Sequence, residues 1–365
     1  MTEFSRLTAV TTRSCIADMC SVLLMSSRPA LAELTTFRIG GPIDSLVVAS
    51  TELELIEAVR AADSAGAPVL LIGGGSNLLC SDSGFAGTVI AIRTRGVEIV
   101  ETGTTVRLTV AAGESWDALV ARVVGQGWSG IEALSGIPGL VGATPVQNVG
   151  AYGQDISQVL REVRAWDRAS SSLVTLTRDD CEFGYRSSLF KREPNRFVVL
   201  EVVFELTTGD RGSVEYAQLA RALDVSIGDE LPLSPIREAV LALRREKGMV
   251  LDDDDTDTWS AGSFFTNPIL DIVKATTVPS ECPRYPSEAG VKLSAAWLIE
   301  HAGIERGFCV SPDSPARVST KHTLALTNTG GATAADMREL ADVIRRRVLE
   351  SFGIELVPEP QLAGF

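Results

Sequence analysis

The hydrophobic pattern is clearest between Leu46 and Ile72. Leu46-Val47-Val48-Ala49 is an unbroken apolar run, which predicts a buried strand. Thr51, with Glu54 three residues on, forms a capping box. Leu55, Ile56 and Val59 then recur at helical spacing, and Gly66 marks the helix end. Pro68 to Ile72 supplies a second apolar strand. The rhythm is βαβ, and Gly73-Gly74-Gly75-Ser76-Asn77 stands where the second strand stops.

Beyond Gly87 the rhythm shortens to strands. Val106, Leu108 and Val110 alternate with polar residues. A short helix is predicted from Ser115, with Leu119, Val120 and Val123 apolar and Gly125 closing it. Phe197 to Leu206 reads as a long strand with Glu201 and Glu205 on one face and Leu200, Val202 and Phe204 on the other. Thr207 to Glu230, polar and glycine-bearing, reads as a boundary region. Ser234-Pro235 then predicts a helix start, by cap and first-turn proline, and the helix runs to Lys247 before Gly248. A last helix runs from Thr333 to Gly353 with Met337, Leu340, Ile344 and Val348 on one face.

Composition narrows the class. The 365 residues suit two or three domains, and 45% hydrophobic with 22% charged residues is a globular balance. A net charge of −14 argues against a nucleic-acid partner, which requires a basic surface. It leaves room for a small anionic substrate held by local Arg and Lys. The six cysteines are scattered without a CxxC pair, which suits a reducing cytoplasm. With only His301 and His322 present, a metal site or a histidine-based triad is not expected. No apolar window is long enough to span a membrane. Residues 1–28 read as a loose tail with Met25 as an alternative start, and the run Asp252 to Asp255 reads as a mobile, solvated loop.

Three stretches carry candidate chemistry. In Gly73-Gly74-Gly75-Ser76-Asn77, glycines let backbone N–H groups approach a pyrophosphate, and Ser76 and Asn77 add donors. A tight glycine turn explains the same residues equally well, since neither GxGxxG spacing nor a P-loop lysine is present. From Ser135 to Tyr152 the chain is glycine-rich and uncharged, which favours backbone packed on a buried flat ligand over a plain hairpin. Ser260-Ala261-Gly262-Ser263-Phe264-Phe265-Thr266-Asn267-Pro268 places a hydroxyl between a glycine and two aromatics. Alone, Ser263 reads as a packed turn residue, and Arg186 as a surface ion-pair partner.

Taken together, Thr35-Thr36-Phe37-Arg38-Ile39-Gly40-Gly41, the glycine loop, Ile137-Pro138-Gly139-Leu140-Val141-Gly142-Ala143 and Pro145-Val146-Gln147-Asn148-Val149-Gly150-Ala151-Tyr152-Gly153 resemble the UDP-N-acetylenolpyruvoylglucosamine reductases. The resemblance extends from Leu31 to Gly364. It implies an α+β fold: a two-lobed FAD-binding region of the vanillyl-alcohol oxidase / p-cresol methylhydroxylase type, with lobes at 29–94 and 95–212. A C-terminal α+β substrate-binding domain at 228–365 would follow, its last segment returning to the active site. It implies FAD contacts from Arg38, Gly73, Gly74, Gly75, Ser76, Asn77, Ser135, Gly136, Ile137, Pro138, Gly139, Gly142, Ala143, Gln147, Asn148, Gly150 and Tyr152. No histidine lies in the glycine loop, so the FAD is expected to be noncovalent.

The same resemblance assigns Arg186, in Phe183-Gly184-Tyr185-Arg186, to the substrate carboxylate and the developing enolate. It assigns Ser263 as proton donor to that enolate and Glu359 to its orientation or protonation. Tyr185, Tyr216, Lys247, Asn267 and Lys292 are the implied substrate contacts, with no metal. The implied reaction is NADPH-dependent reduction of UDP-N-acetylglucosamine enolpyruvate to UDP-N-acetylmuramate for peptidoglycan, with hydride passing through FAD. A cytoplasmic protein is implied, and its acidic surface is compatible with a monomer. The motif at Glu359 departs from the family, because Pro360-Gln361 replaces the usual Val-Arg. Two other readings stay open at this point: an oxidase of the same FAD fold, and a non-catalytic flavin or UDP-sugar binder.

Overall fold

The computed structural model of the protein describes residues 28–287 and 289–365. The expected tail up to residue 27 and the alternative start at Met25 lie outside the described residues.

The βαβ rhythm forms a strand at Ile43–Ala49, a helix at Glu52–Ser64 and a strand at Val69–Ile72. The capping box is complete. Thr51 Oγ1 accepts from the Glu54 N–H, and the Glu54 carboxylate accepts from the Thr51 N–H. Gly66 follows the helix at φ +63°, a conformation that a side chain would strain. The two strands are not neighbours in the sheet. Phe85–Ile92 lies between them, parallel to both. Leu55, Val59 and Ala62 of the helix pack with Ala49, Val69 and Ile90 of that sheet.

A second sheet is antiparallel, in the order Ser172–Thr177, Leu160–Asp167, Phe197–Thr208, Thr105–Ala111, Val97–Thr102. Its long central strand carries Glu201 and Glu205 where expected, paired with Arg164 and Arg161. The register slips between Arg164 and Ala165, which oppose Glu201 and Val199 and leave Leu200 as a bulge. The bulge switches faces. Val198 and Leu200 join the core of the first sheet, whereas Val202, Phe204 and Leu206 join the second core with Trp116 and Val120.

Two helix ends differ from expectation. The helix Trp116–Gly125 is capped by Ser115 as the pattern requires, but the Gln126 N–H still bonds back to Arg122, and Gly127 takes the left-handed turn at φ +70°. The helix Leu233–Glu246 starts before Ser234-Pro235, because Leu233 runs straight out of the strand Glu230–Pro232 and its N–H bonds to Asp210 O. Pro235 then sits in the first turn, where a missing N–H breaks no intrahelical bond. The expected boundary region is ordered. Arg211–Ser213 pairs with Glu230–Pro232, and Ala217–Leu223 is helical between them.

In the C-terminal part the helix Ala334–Phe352 packs against the helix Ala295–His301 and the strand Ala316–Val318, and shares a core with a three-stranded antiparallel sheet of Ile269–Leu270, Gly290–Leu293 and Arg284–Ser287. Its core also takes Phe37, Ile39 and Leu79 from the N-terminal part. The closing strand Gln361–Ala363 pairs in parallel with Leu78–Cys80, directly after the glycine loop. This pairing brings Glu359 to that loop. Among the described residues, no helix is long and apolar enough to cross a membrane.

Candidate active site

A cavity of about 360 Å³ lies where these parts meet. The glycine loop, Ile137–Gly139, Gln147, the Tyr185-Arg186 turn, Ser260–Ser263 and Glu359 line it. The loop is shaped by close backbone approach. A Cβ on Gly74 would stand 2.7 Å from Gly139 Cα, and one on Gly75 would stand 1.9 Å from Leu34 O. Ser76 Oγ donates to Pro138 O at 3.1 Å and ties the two glycine-rich stretches together. The glycines let the backbone pack closely, as a tight turn requires, and they also floor the cavity. Among the described residues the N–H groups of Gly74, Gly75 and Ser76 donate to no protein acceptor.

Glu359 is the centre of the polar cluster. The Phe265–Pro358 bridge and the Glu359 N–H bond to Phe264 O at 2.8 Å hold its backbone against the Ser263-Phe264-Phe265 segment. Its Oε1 accepts from Gln147 Nε2 at 3.0 Å and lies 3.3 Å from Arg186 Nε. Burial pushes the Glu359 carboxyl above the usual carboxylate range; Arg186, Lys191 and the Gln147 bond oppose that rise. Arg186, at φ +51°, sends Nη1 to Asn148 O at 3.3 Å and Nη2 to Gly150 O at 2.7 Å. Lys191 Nζ donates to Arg186 O at 2.9 Å. A guanidinium so fixed still has two N–H groups to offer a ligand. Ser263 is half-buried, bridges to Ala325 through its backbone and lines the same cavity.

The implied substrate residues divide. Tyr185 and Asn267 line the cavity, and Tyr185 Oη accepts from the Asn267 N–H at 3.4 Å. Lys292 Nζ stands 4.6 Å from the Tyr185 ring centroid, just outside. Tyr216 and Lys247 gather further off, around Tyr152. The two tyrosine rings meet edge to face at 5.7 Å, and Lys247 Nζ donates to Gln218 Oε1 at 2.7 Å. Burial lowers the pKa of both Lys247 and Lys292 from the ordinary lysine value.

Of the implied cofactor residues, Gly73 to Asn77, Ile137, Pro138, Gly139, Ala143, Gln147 and Gly150 line the cavity. Arg38, Ser135, Gly136, Gly142, Asn148 and Tyr152 do not; their contacts are with protein. Arg38 lies 3.9 Å over the Trp259 ring and pairs with Asp253 at 2.5 Å. Ser135 Oγ donates to Glu132 O, and the Gly136 N–H donates to Asp117 Oδ1. A Cβ on Gly142 would meet Ala112 Cβ at 2.5 Å, so this glycine serves packing. Asn148 Nδ2 donates to Gly184 O and its Oδ1 accepts from the Ser157 N–H.

The acidic run is not the free loop its composition predicts. Asp255 pairs with Lys321, Asp253 with Arg38, and Asp257 accepts from Ser319, Thr320 Oγ1 and the Thr320 N–H. Partners distant in sequence supply the anchors, which local composition does not display.

Arg244 is a further lining residue that none of the sequence motifs names. It is buried and donates through Nη2 to Met249 O at 2.9 Å, while its Nε has no partner among the described residues. The signal was available. Ile236, Val240 and Arg244 share one helical face, and an arginine on an apolar stripe requires a reason.

The sequence matches the family described as "FAD binding domain" over residues 43–177 and the one described as "UDP-N-acetylenolpyruvoylglucosamine reductase, C-terminal domain" over residues 254–363. It is 51% identical to the UDP-N-acetylenolpyruvoylglucosamine reductase of Cutibacterium acnes, across 92% of this chain and 89% of that one. It is 53% identical to that of Streptomyces coelicolor, again across 92% and 89%. The chain belongs to the UDP-N-acetylenolpyruvoylglucosamine reductase family. The crystal structure of the reductase from Thermus caldophilus superimposes with a TM-score of 0.63 at 25% identity, covering 92% of this chain and 98% of that one. A reductase of this family is a flavin-dependent oxidoreductase of peptidoglycan precursor synthesis, which accounts for the cavity. Free backbone donors on the glycine loop and the orphaned Arg244 Nε suit an anionic dinucleotide.

Proposed function

We propose that the chain reduces UDP-N-acetylglucosamine enolpyruvate to UDP-N-acetylmuramate with NADPH, using noncovalent FAD, in the cytoplasm and as a monomer. The observation that carries this reading is the meeting of Arg186, Ser263 and Glu359, from three distant segments, at one cavity. The two FAD lobes would be 29–94 and 95–212, and the substrate domain 228–365. Gly73 to Asn77, Ile137 to Gly139 and Gly150 would hold the cofactor. Bound FAD supplies the redox chemistry that couples NADPH to the substrate.

The residues of this chain do the rest. Reduction of an enolpyruvyl double bond leaves negative charge beside the carboxylate. Arg186, already oriented by Asn148 O and Gly150 O, stabilises that charge with its remaining N–H groups. Glu359, held towards its neutral form by burial, adds a hydrogen bond to the same oxygen. The enolate carbon is basic enough to take a proton from a positioned hydroxyl, and Ser263 donates it. Tyr185 and Asn267, which line the cavity, and Lys292, Tyr216 and Lys247, which lie outside it, would bind the UDP-sugar.

Stopped-flow flavin absorbance without oxygen tests the proposal. Wild type is expected to be reduced by NADPH and rapidly reoxidised by the enolpyruvyl substrate. In Ser263→Ala the first step should persist and the second should slow by about 10²–10⁴-fold. Fast reoxidation by oxygen, with none by this substrate, would overturn the reading in favour of an oxidase.

A further inference from the structure

We infer that Gln147 is a positioning residue for Glu359: it commits one carboxylate oxygen as an acceptor, so that the other is the oxygen that trades a proton with the ligand. The inference rests on the proposed role of Glu359 and deepens it.

The geometry is a directed chain. Asn77 Nδ2 donates to the Glu359 carbonyl oxygen at 3.3 Å and to Gln147 Oε1 at 3.0 Å. Because a carbonyl can only accept, the Asn77 amide is fixed with its NH₂ group towards Gln147. Gln147 must then present Oε1 to Asn77 and Nε2 to Glu359. The reverse orientation would set NH₂ against NH₂ and a carbonyl against a carboxylate. Gln147 can therefore donate to Glu359 but cannot accept from it.

Both side-chain neighbours reach the same atom. Gln147 Nε2 at 3.0 Å and Arg186 Nε at 3.3 Å lie on Oε1. Among the described residues no hydrogen bond reaches Oε2, and Oε2 is not among the sealed, unpartnered polar atoms. Glu359 lines the cavity, so Oε2 is its open oxygen. A proton on Oε1 would face the Gln147 donor and stand beside the Arg186 cation, so protonation is directed to Oε2. The charged and titratable groups around the carboxyl are Arg186, Lys191 and the Tyr185 hydroxyl. Arg186 and Lys191 are cations that act on the whole carboxylate; Gln147 is neutral and distinguishes one oxygen. It sits in an uncharged stretch and would otherwise pass as one more cofactor contact.

The test uses the full, FAD-loaded chain with Gln147→Met, which keeps length and removes the donor, and Gln147→Glu, which adds a like charge. The Glu359 carboxyl is titrated by pH-difference infrared spectroscopy, with Glu359→Gln to assign its band. Flavin content and spectrum are recorded alongside, and the pH profile of the substrate half-reaction is measured. Loss of the donor should raise the Glu359 pKa and the corresponding limb of the profile by about one pH unit in Gln147→Met, and further in Gln147→Glu. Flavin content and the rate of the NADPH step report separately on any effect at the cofactor side of the cavity, which Gln147 also lines. An unmoved Glu359 titration with lost or spectrally shifted flavin would overturn the inference and make Gln147 a cofactor contact. A shifted titration in an enzyme whose wild type does not turn over the enolpyruvyl substrate would support the Gln147–Glu359 assignment and sink the substrate proposal instead.

Discussion

Gly73 and Gly74 are adjacent in sequence, line the same cavity, and should respond differently to a methyl group. In Gly74→Ala the new Cβ would lie 2.7 Å from Gly139 Cα. Carbon atoms are comfortable at roughly 3.5–4.0 Å, so the two loops must part by about 1 Å. Gly139 cannot yield freely. Its carbonyl accepts from the Trp116 N–H at 3.1 Å, and the Ser76 hydroxyl holds the neighbouring Pro138 carbonyl. Overpacking of this kind costs about 1–3 kcal/mol. In Gly73→Ala the nearest atoms are Leu140 side-chain carbons at 3.5–3.7 Å, an ordinary contact, and stability should change little. The assay is thermal unfolding of each apo variant, followed by FAD titration with fluorescence detection. Gly74→Ala should melt several degrees lower and bind FAD more weakly, because parted loops no longer present their free N–H groups together. Gly73→Ala should melt like wild type. Equal melting temperatures for both variants, or the larger loss in Gly73→Ala, would refute the packing argument.

Two further outcomes follow from contacts distant in sequence. Arg244→Met removes a charged hydrogen bond to Met249 O, worth about 1.5–3 kcal/mol, but also relieves an unpartnered buried Nε of about 1–3 kcal/mol. The apo protein should keep its melting temperature while FAD binding weakens roughly 10- to 100-fold, as read by FAD titration; a large apo destabilisation with intact affinity would contradict this. In the acidic run, Asp257→Ala loses three hydrogen bonds to Ser319 and Thr320 and should destabilise by about 1–3 kcal/mol, whereas Asp253→Asn, at an exposed pair, should change stability by less than about 1 kcal/mol; denaturant unfolding of both variants measures the contrast.

What the sequence determined by itself was local. The capping box at Thr51, the left-handed glycines at Gly66, Gly248 and Gly353, the apolar stripe of Ala334–Phe352 and the two-faced Phe197–Thr208 strand each follow from residues within a few positions of one another. Long motifs in a fixed order also made the family legible, and with it the expectation for Arg186, Ser263 and Glu359, which the fold brings to one cavity. Tertiary structure decided what depends on distant partners. The insertion of Phe85–Ile92 between the two strands of the βαβ unit, the face switch at Leu200 and the return of Gln361–Ala363 to Leu78–Cys80 are pairings that no local pattern encodes. The same holds for the acidic run, which composition describes as solvated and Arg38, Ser319, Thr320 and Lys321 tie down. It holds for Gln147 as well: an uncharged amide acquires a direction only when Asn77 and Glu359, 70 and 212 residues away, close around it. Propensity and capping act over a few residues of chain, whereas register, ion pairing and hydrogen-bond direction depend on distances that exist only after folding.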